Sequence, residues 1–172
     1  YLVLFILLNQ LLFATFSIVA VDRETREVGS AGGSCIANSI IISDMHPAVG
    51  VIHTQSYWLS ANQNYASSLM DEGYSPLEII ELLELNDIQN NATIRQYGIV
   101  DLYQEYNYGQ LLEEECYGID GAQWYGESGI DQFAECADSL ITRSASFTGE
   151  NCSDWKGHIN GIDYAIQGNI LL

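Results

Sequence analysis

Positive charge is what this sequence has least of. Five lysines and arginines stand against 23 aspartates and glutamates, a formal net charge of −18, and Lys156 is the single lysine. Such a surface repels phosphate backbones and anionic headgroups, so nucleic acid has no electrostatic footing as a partner. No C-x-x-C pair is present, which argues against a zinc site, and no metal or cofactor is implied. The G-x-G-x-x-G spacing of dinucleotide sites, the G-x-S-x-G elbow and the zincin H-E-x-x-H are all missing. An initiator Met and a basic segment ahead of the first apolar run are missing as well. With 48% hydrophobic residues over 172 positions, one globular domain with a real core is expected rather than disorder.

What is present begins with that apolar run. Residues 1–14 have the length of a signal-peptide core rather than the ~20 residues of a membrane span, so they read as a leader and the protein as secreted or periplasmic. A membrane partner enters only if the leader is never cut. Cleavage after Ala14 would make Thr15 the first residue, with a hydroxyl nucleophile and an α-amine that can act as its base. Leu12 stands where a small residue is preferred before such a cut. Cys35, Cys116, Cys136 and Cys152 are an even set compatible with an oxidising compartment, and their three possible connectivities stay open. Asn91-Ala92-Thr93 and Asn151-Cys152-Ser153 match the glycosylation pattern.

Along the chain, residues 15–22 are rich in β-branched and aromatic types and read as a strand, followed by a polar turn at 23–26. Residues 27–36 read as the returning strand of a hairpin. Its run of Gly and Ser predicts close approach of another element, from tight packing or from a site beside Thr15. A third strand is predicted at 49–55. Two helices follow, one over 60–72 stopping at Gly73, the other after Ser75 with Pro76 in its first turn and Glu78 completing a capping box. Leu77, Ile80, Leu82, Leu83 and Leu85 give the second helix its buried face. Residues 95–102 return to strand. Residues 103–143 read as an inserted loop tied by a Cys116–Cys136 disulfide, with one short helix near 130–141. Strands are predicted again at 144–149 and 164–171.

Three stretches carry a resemblance: Thr15-Phe-Ser-Ile-Val-Ala with Asp22; Arg95-Gln96-x-Gly98-x-Val100-Asp101; and Phe147-Thr148-Gly149-x-x-Cys152-x-x-Trp155-x-Gly157-His158 running on to Gln167-Gly168-Asn169. In these the chain resembles the domain of unknown function 1028, grouped with the N-terminal-nucleophile (Ntn) hydrolases. The resemblance implies an α+β fold, an αββα sandwich of two antiparallel sheets between helical layers, over residues 15–172. The strand, helix-pair, strand order agrees with it. It also implies processing at Thr15, and a domain that continues past 172, so that this chain is C-terminally truncated.

The activity implied is hydrolysis of an amide-type bond by Thr15, with substrate and oligomeric state open. Asp22 is the candidate to orient the α-amine, with a turn cap as the bland alternative. Ser34 and Gln55 are candidates to line the cleft, Gln167 and Asn169 to supply amide donors or to stitch the sheet. Arg95 would depress the amine pKa in place of the lysine that proteasome-like relatives carry. His158 is a binding candidate that reads more readily as structural. A Cys35–Cys152 bond would pin the two ends of the domain. The competing reading is a secreted, non-catalytic module on the same scaffold that recognises cell-wall glycan or peptide.

Overall fold

The computed structural model describes residues 14–104, 124–125, 130–137 and 140–170, with side chains described over 14–103 and 142–170. Strand β1 (Thr15–Val21) has Thr15, Ser17, Val19 and Val21 buried on one face and Phe16, Ile18 and Ala20 on the other, more exposed face, the period of a half-buried strand. It ends where Asp22 accepts the N–H groups of Glu24 and Thr25 at 2.8 and 2.9 Å. The chain then returns antiparallel as β2 (Val28–Gly33). Within β2 the close approach is at Gly32, where a Cβ would lie 2.6 Å from the Phe16 carbonyl oxygen, whereas one at Gly29 would meet nothing within 4 Å.

A 3-10 turn at Ser39–Ile42 and a short strand β3 (Ser43–His46) precede β4 (Gly50–Gln55). Neither was anticipated, because segments this short carry no legible period. Helices α1 (Ser60–Asp71) and α2 (Pro76–Leu85) match the predicted pair. The capping box of α2 is formed, with Glu78 N–H donating to Ser75 Oγ at 3.3 Å and Ser75 N–H to Glu78 Oε2 at 2.7 Å. Its buried face is Pro76, Ile79, Ile80 and Leu83, whereas Leu85 is 79% exposed, because two residues on from Leu83 the helix has turned by about 200° and presents the opposite face.

The remaining strands are β5 (Gln96–Gln104), β6 (Trp124–Tyr125), β7 (Ile130–Ala137), β8 (Leu140–Thr148), β9 (Gly157–Gly161) and β10 (Tyr164–Asn169). The helix expected near 130–141 is replaced by β7 and the start of β8. Antiparallel pairing with β8 along the whole of β7 decides this against any local preference. The Cys116–Cys136 bond lies outside the described side chains. The Cys35–Cys152 bond is not formed: Cys152 is a buried thiol that donates to the Arg95 carbonyl at 3.1 Å, and burial raises its pKa.

All strand pairs are antiparallel, in a four-stranded sheet of order β2-β1-β10-β9 and a six-stranded sheet of order β3-β4-β5-β8-β7-β6. The sheets stack face to face, β1 over β4 and β5, and β10 over β5 and β8. Both helices lie against the other face of the six-stranded sheet, through β4, β5 and β8. The fold is therefore α+β, with three layers among the described residues.

The two interlayer spaces differ in chemistry. Between helices and sheet, Ile52, Leu69, Ile79, Ile80, Leu83, Ile99 and Phe147 form a continuous apolar core. Between the sheets, Val19, Val21, Val51, Val100, Leu102 and Ala165 fill one end only. The other end, toward Thr15, is polar.

Candidate active site

The polar end follows from strand register. Thr15 lies opposite Asn169, and Ser17 opposite Gln167, on the paired strands β1 and β10. Gln55 lies opposite Gln96 on β4 and β5. Alternation turns all of these side chains into the space between the sheets. Gln167 Nε2 donates to Ser17 Oγ at 2.6 Å, and Ser17 Oγ donates to Gln55 Oε1 at 2.7 Å. Gln55 Nε2 donates to Gln96 Oε1 at 2.6 Å, which also accepts from Asn169 Nδ2 at 3.0 Å. Gln96 Nε2 is directed at Thr148 Oγ1 and at the carbonyls of Gly157 and Gly168. Gln96 is thus the hub, fully buried and joining both sheets. The network needs a glycine at position 98, where a Cβ would collide with the Gln167 amide.

At the end of this network Thr15 Oγ1 meets Ser34 Oγ at 2.8 Å, and both residues line a cavity of about 460 Å³. That volume lies within the range of small-molecule sites. Asn169 lines it next to Thr15, with Ser56 and Ser153 adding two more hydroxyls. Its apolar wall is Ile36, Ile41, Ile42 and Ile170 together with Tyr57 and Trp58. The Trp58 indole N–H is held by Gln63 of α1, which also accepts from Thr54 Oγ1. Ser56, Tyr57 and Ile170 have φ of 57°, 62° and 54°. Left-handed backbone at non-glycine residues costs on the order of 1–3 kcal/mol each and tends to gather where a site needs a particular wall.

The expected site residues separate into three groups. Thr15, Ser34 and Asn169 come together at the cavity. Gln55 and Gln167 are buried in the supporting network; Gln167 Oε1 and His53 Nε2 have no hydrogen-bond partner among the described residues. His53 is held neutral by burial, which lowers its pKa from 6.5 to about 4.

The third group lies away from the cavity. Asp22 is at the far end of β1, about 20 Å along the strand from Thr15, and its turn N–H donors lower its pKa. It cannot orient the Thr15 amine. Arg95 is buried beside Asp87, with Nε donating to Oδ2 at 2.8 Å, and its guanidinium also donates to the Tyr57 carbonyl. Burial opposes ionisation of Asp87, but hydrogen bonds from Arg95, Asn62, Asn91 and Gln89 outweigh it and hold the carboxyl well below the usual range. Arg95 therefore braces the Ser56–Tyr57 corner rather than touching a ligand. His158 Nδ1 is 2.7 Å from Thr148 Oγ1, two side chains removed from the cavity residue Asn169. Lys156 Nζ bonds the carbonyls of Glu150 and Cys152 and anchors the loop that carries Ser153.

The apolar wall escaped the sequence reading. Its one local signal is the Ser-Tyr-Trp run between a strand and a helix; the isoleucines become neighbours only through folding.

Among the described residues no group of three or more His, Cys, Asp or Glu could hold a metal ion, and no helix is long and apolar enough to cross a membrane. Against solved structures, the chain is similar to protein SPO2555 from Silicibacter pomeroyi, whose crystal structure carries the DUF1028 designation. The TM-score is 0.60 at 19% identity, over 92% of this chain and 53% of that one, so this chain spans about half the length of the solved protein. No curated protein matches. The family of unknown function DUF1028 matches residues 15–126, and with that share of its sequence covered the chain belongs to this family.

Proposed function

We propose that the chain is an exported amidohydrolase of the N-terminal-nucleophile type, on an Ntn-hydrolase-like αββα sandwich, with Thr15 freed by removal of residues 1–14. One observation carries the reading. Thr15 opens β1 at the cavity, its hydroxyl already paired with Ser34 and its strand partner Asn169 beside it. A chain starting there would place its α-amine at the same spot.

In the reaction, Thr15 Oγ attacks the carbonyl carbon of an amide and its proton passes to the α-amine, directly or through a water. The amine has an unperturbed pKa of about 8 and needs no histidine partner. Ser34 Oγ fixes the direction of the attacking hydroxyl. A side-chain amide has two N–H donors; one of those of Asn169 is held by Gln96, and in this proposal the other serves the oxyanion. The C–N bond breaks as the leaving amine takes the proton. Water then hydrolyses the acyl ester on Oγ and restores Thr15.

The test is the intact mass and N-terminal sequence of the protein exported by its own host, followed by Thr15→Ala. The expected results are a mature chain beginning at Thr15 and a loss of amide hydrolysis of at least about 10⁴-fold. A chain beginning elsewhere, or activity that survives the substitution, overturns the reading. The aromatic wall of Tyr57 and Trp58 favours one alternative, a non-catalytic module for cell-wall glycan or peptide. That alternative predicts ligand association unchanged by Thr15→Ala and no turnover.

A further inference from the structure

The geometry points to a substrate class: neutral amides whose acyl group is a branched aliphatic or aromatic hydrocarbon, with the acyl chain seated against Ile41, Ile42, Ile170 and Trp58. The inference rests on Thr15 as the nucleophile, since the acyl carbon stays bonded to its Oγ through the intermediate.

The observation is a contrast of charge. The protein carries 23 acidic and 5 basic residues, yet none of the described residues lining the cavity is charged. Substrates are selected by what would be left unpaired when they bind. A carboxylate at the far end of the acyl group would lie against the Ile41, Ile42 and Ile170 wall, away from the Thr15 α-amine, with no charged side chain of the lining to pair with, and would lose its hydration. An ammonium would meet no carboxylate. Beside Thr15, where the amide itself must sit, are the Ser34 hydroxyl and the Asn169 amide, and Ser56 and Ser153 supply the other aliphatic hydroxyls of the lining. The rest of the lining is four isoleucines, the Cys35 thiol and the rings of Tyr57 and Trp58, a wall that gains mainly from apolar contact.

The reaction balances as RCONH₂ + H₂O → RCOO⁻ + NH₄⁺.

The experiment measures ammonia release by the mature protein from primary amides sharing one leaving group: acetamide, isovaleramide, hexanamide, phenylacetamide, the monoamide of succinic acid and glycinamide. Expected is a rise in kcat/KM of about fourfold per added buried methylene. Phenylacetamide should exceed succinic monoamide and glycinamide by at least about 100-fold. Ile36, on the rim and 40% exposed, tolerates a charge without disturbing the core. Ile36→Arg should raise succinic monoamide turnover at least about tenfold and lower that of phenylacetamide. If turnover requires Thr15 but charged amides are preferred, the substrate class is wrong and the nucleophile stands. If nothing is turned over but calorimetry shows phenylacetamide binding in preference to the charged amides, the nucleophile reading falls and the recognition chemistry stands. Absence of both turnover and binding overturns both.

Discussion

The two faces of the six-stranded sheet solve opposite problems. The face under α1 and α2 is closed by Ile52, Tyr97, Ile99, Ala145 and Phe147 against Leu69, Ile79, Ile80 and Leu83. Its polar exceptions are paired: Asn62 donates to Asp87 and to the Tyr97 hydroxyl, and Arg143 forms a buried ion pair with Asp101. The face under β1 and β10 starts apolar at Val51, Val100 and Leu102, then becomes a chain of amides at Gln55, Gln96 and Gln167 as it nears Thr15. A hydrocarbon layer is non-directional and tolerates small shifts. A buried amide chain is directional, and each broken link leaves a desolvated donor or acceptor. The molecule thus places its interchangeable contacts away from the cavity and its geometry-specifying contacts beside it.

Breaking the amide layer should have the largest effect. Gln96→Leu keeps the approximate volume but removes the amide and strands Gln55 Nε2 and Asn169 Nδ2, so urea unfolding should show a loss of about 4 kcal/mol. Any hydrolytic activity should fall with it at temperatures where the variant is folded, because Asn169 loses its anchor. Leu83→Ala in the helix layer should cost about 2–5 kcal/mol by cavity formation, yet leave kcat/KM of the folded fraction unchanged within about twofold. Equal activity losses in the two variants would mean that the two layers do not differ in function.

The mildest probe is pH. His53 is neutral in the fold with a pKa of about 4, against 6.5 when unfolded. Between those values the unfolded chain binds the proton and the folded one does not, so stability falls as pH drops through the window. From pH 7 to pH 5 the contribution of His53 is a loss of about 2 kcal/mol. Asp87, with its pKa depressed, acts only at lower pH, its contribution being lost as pH falls from the ordinary carboxylate value toward its own. Denaturant midpoints of His53→Leu should therefore vary less between pH 7 and pH 5 than those of the parent; an undiminished dependence would assign it to other groups.

How much of this was legible depends on how local the determining physics is. The alternation of Thr15, Ser17, Val19 and Val21, and the Ser75–Glu78 box, are stated within a few residues, and the corresponding elements form as read. Thr15, Ser34 and Asn169 were candidates in the sequence, and folding brings them to one cavity. Asp22, Arg95 and His158 were chemically reasonable, but a side chain's partners decide its role, and theirs are a turn, a buried carboxylate with the Tyr57 carbonyl, and Thr148. The strand β7 was misread as helix because its neighbour β8, not its own composition, sets its conformation.

By itself the sequence determined the α+β class, the hairpin that begins at Thr15, the helix pair and the acidic charge, all properties of short-range pattern and composition. Only the tertiary structure decided the cavity. Its walls come from residues 15, 34–42, 56–58, 153 and 169–170, and no local periodicity relates segments so far apart. Sheet register and the stacking of two sheets bring them together, and those are fixed by contacts between strands rather than within them.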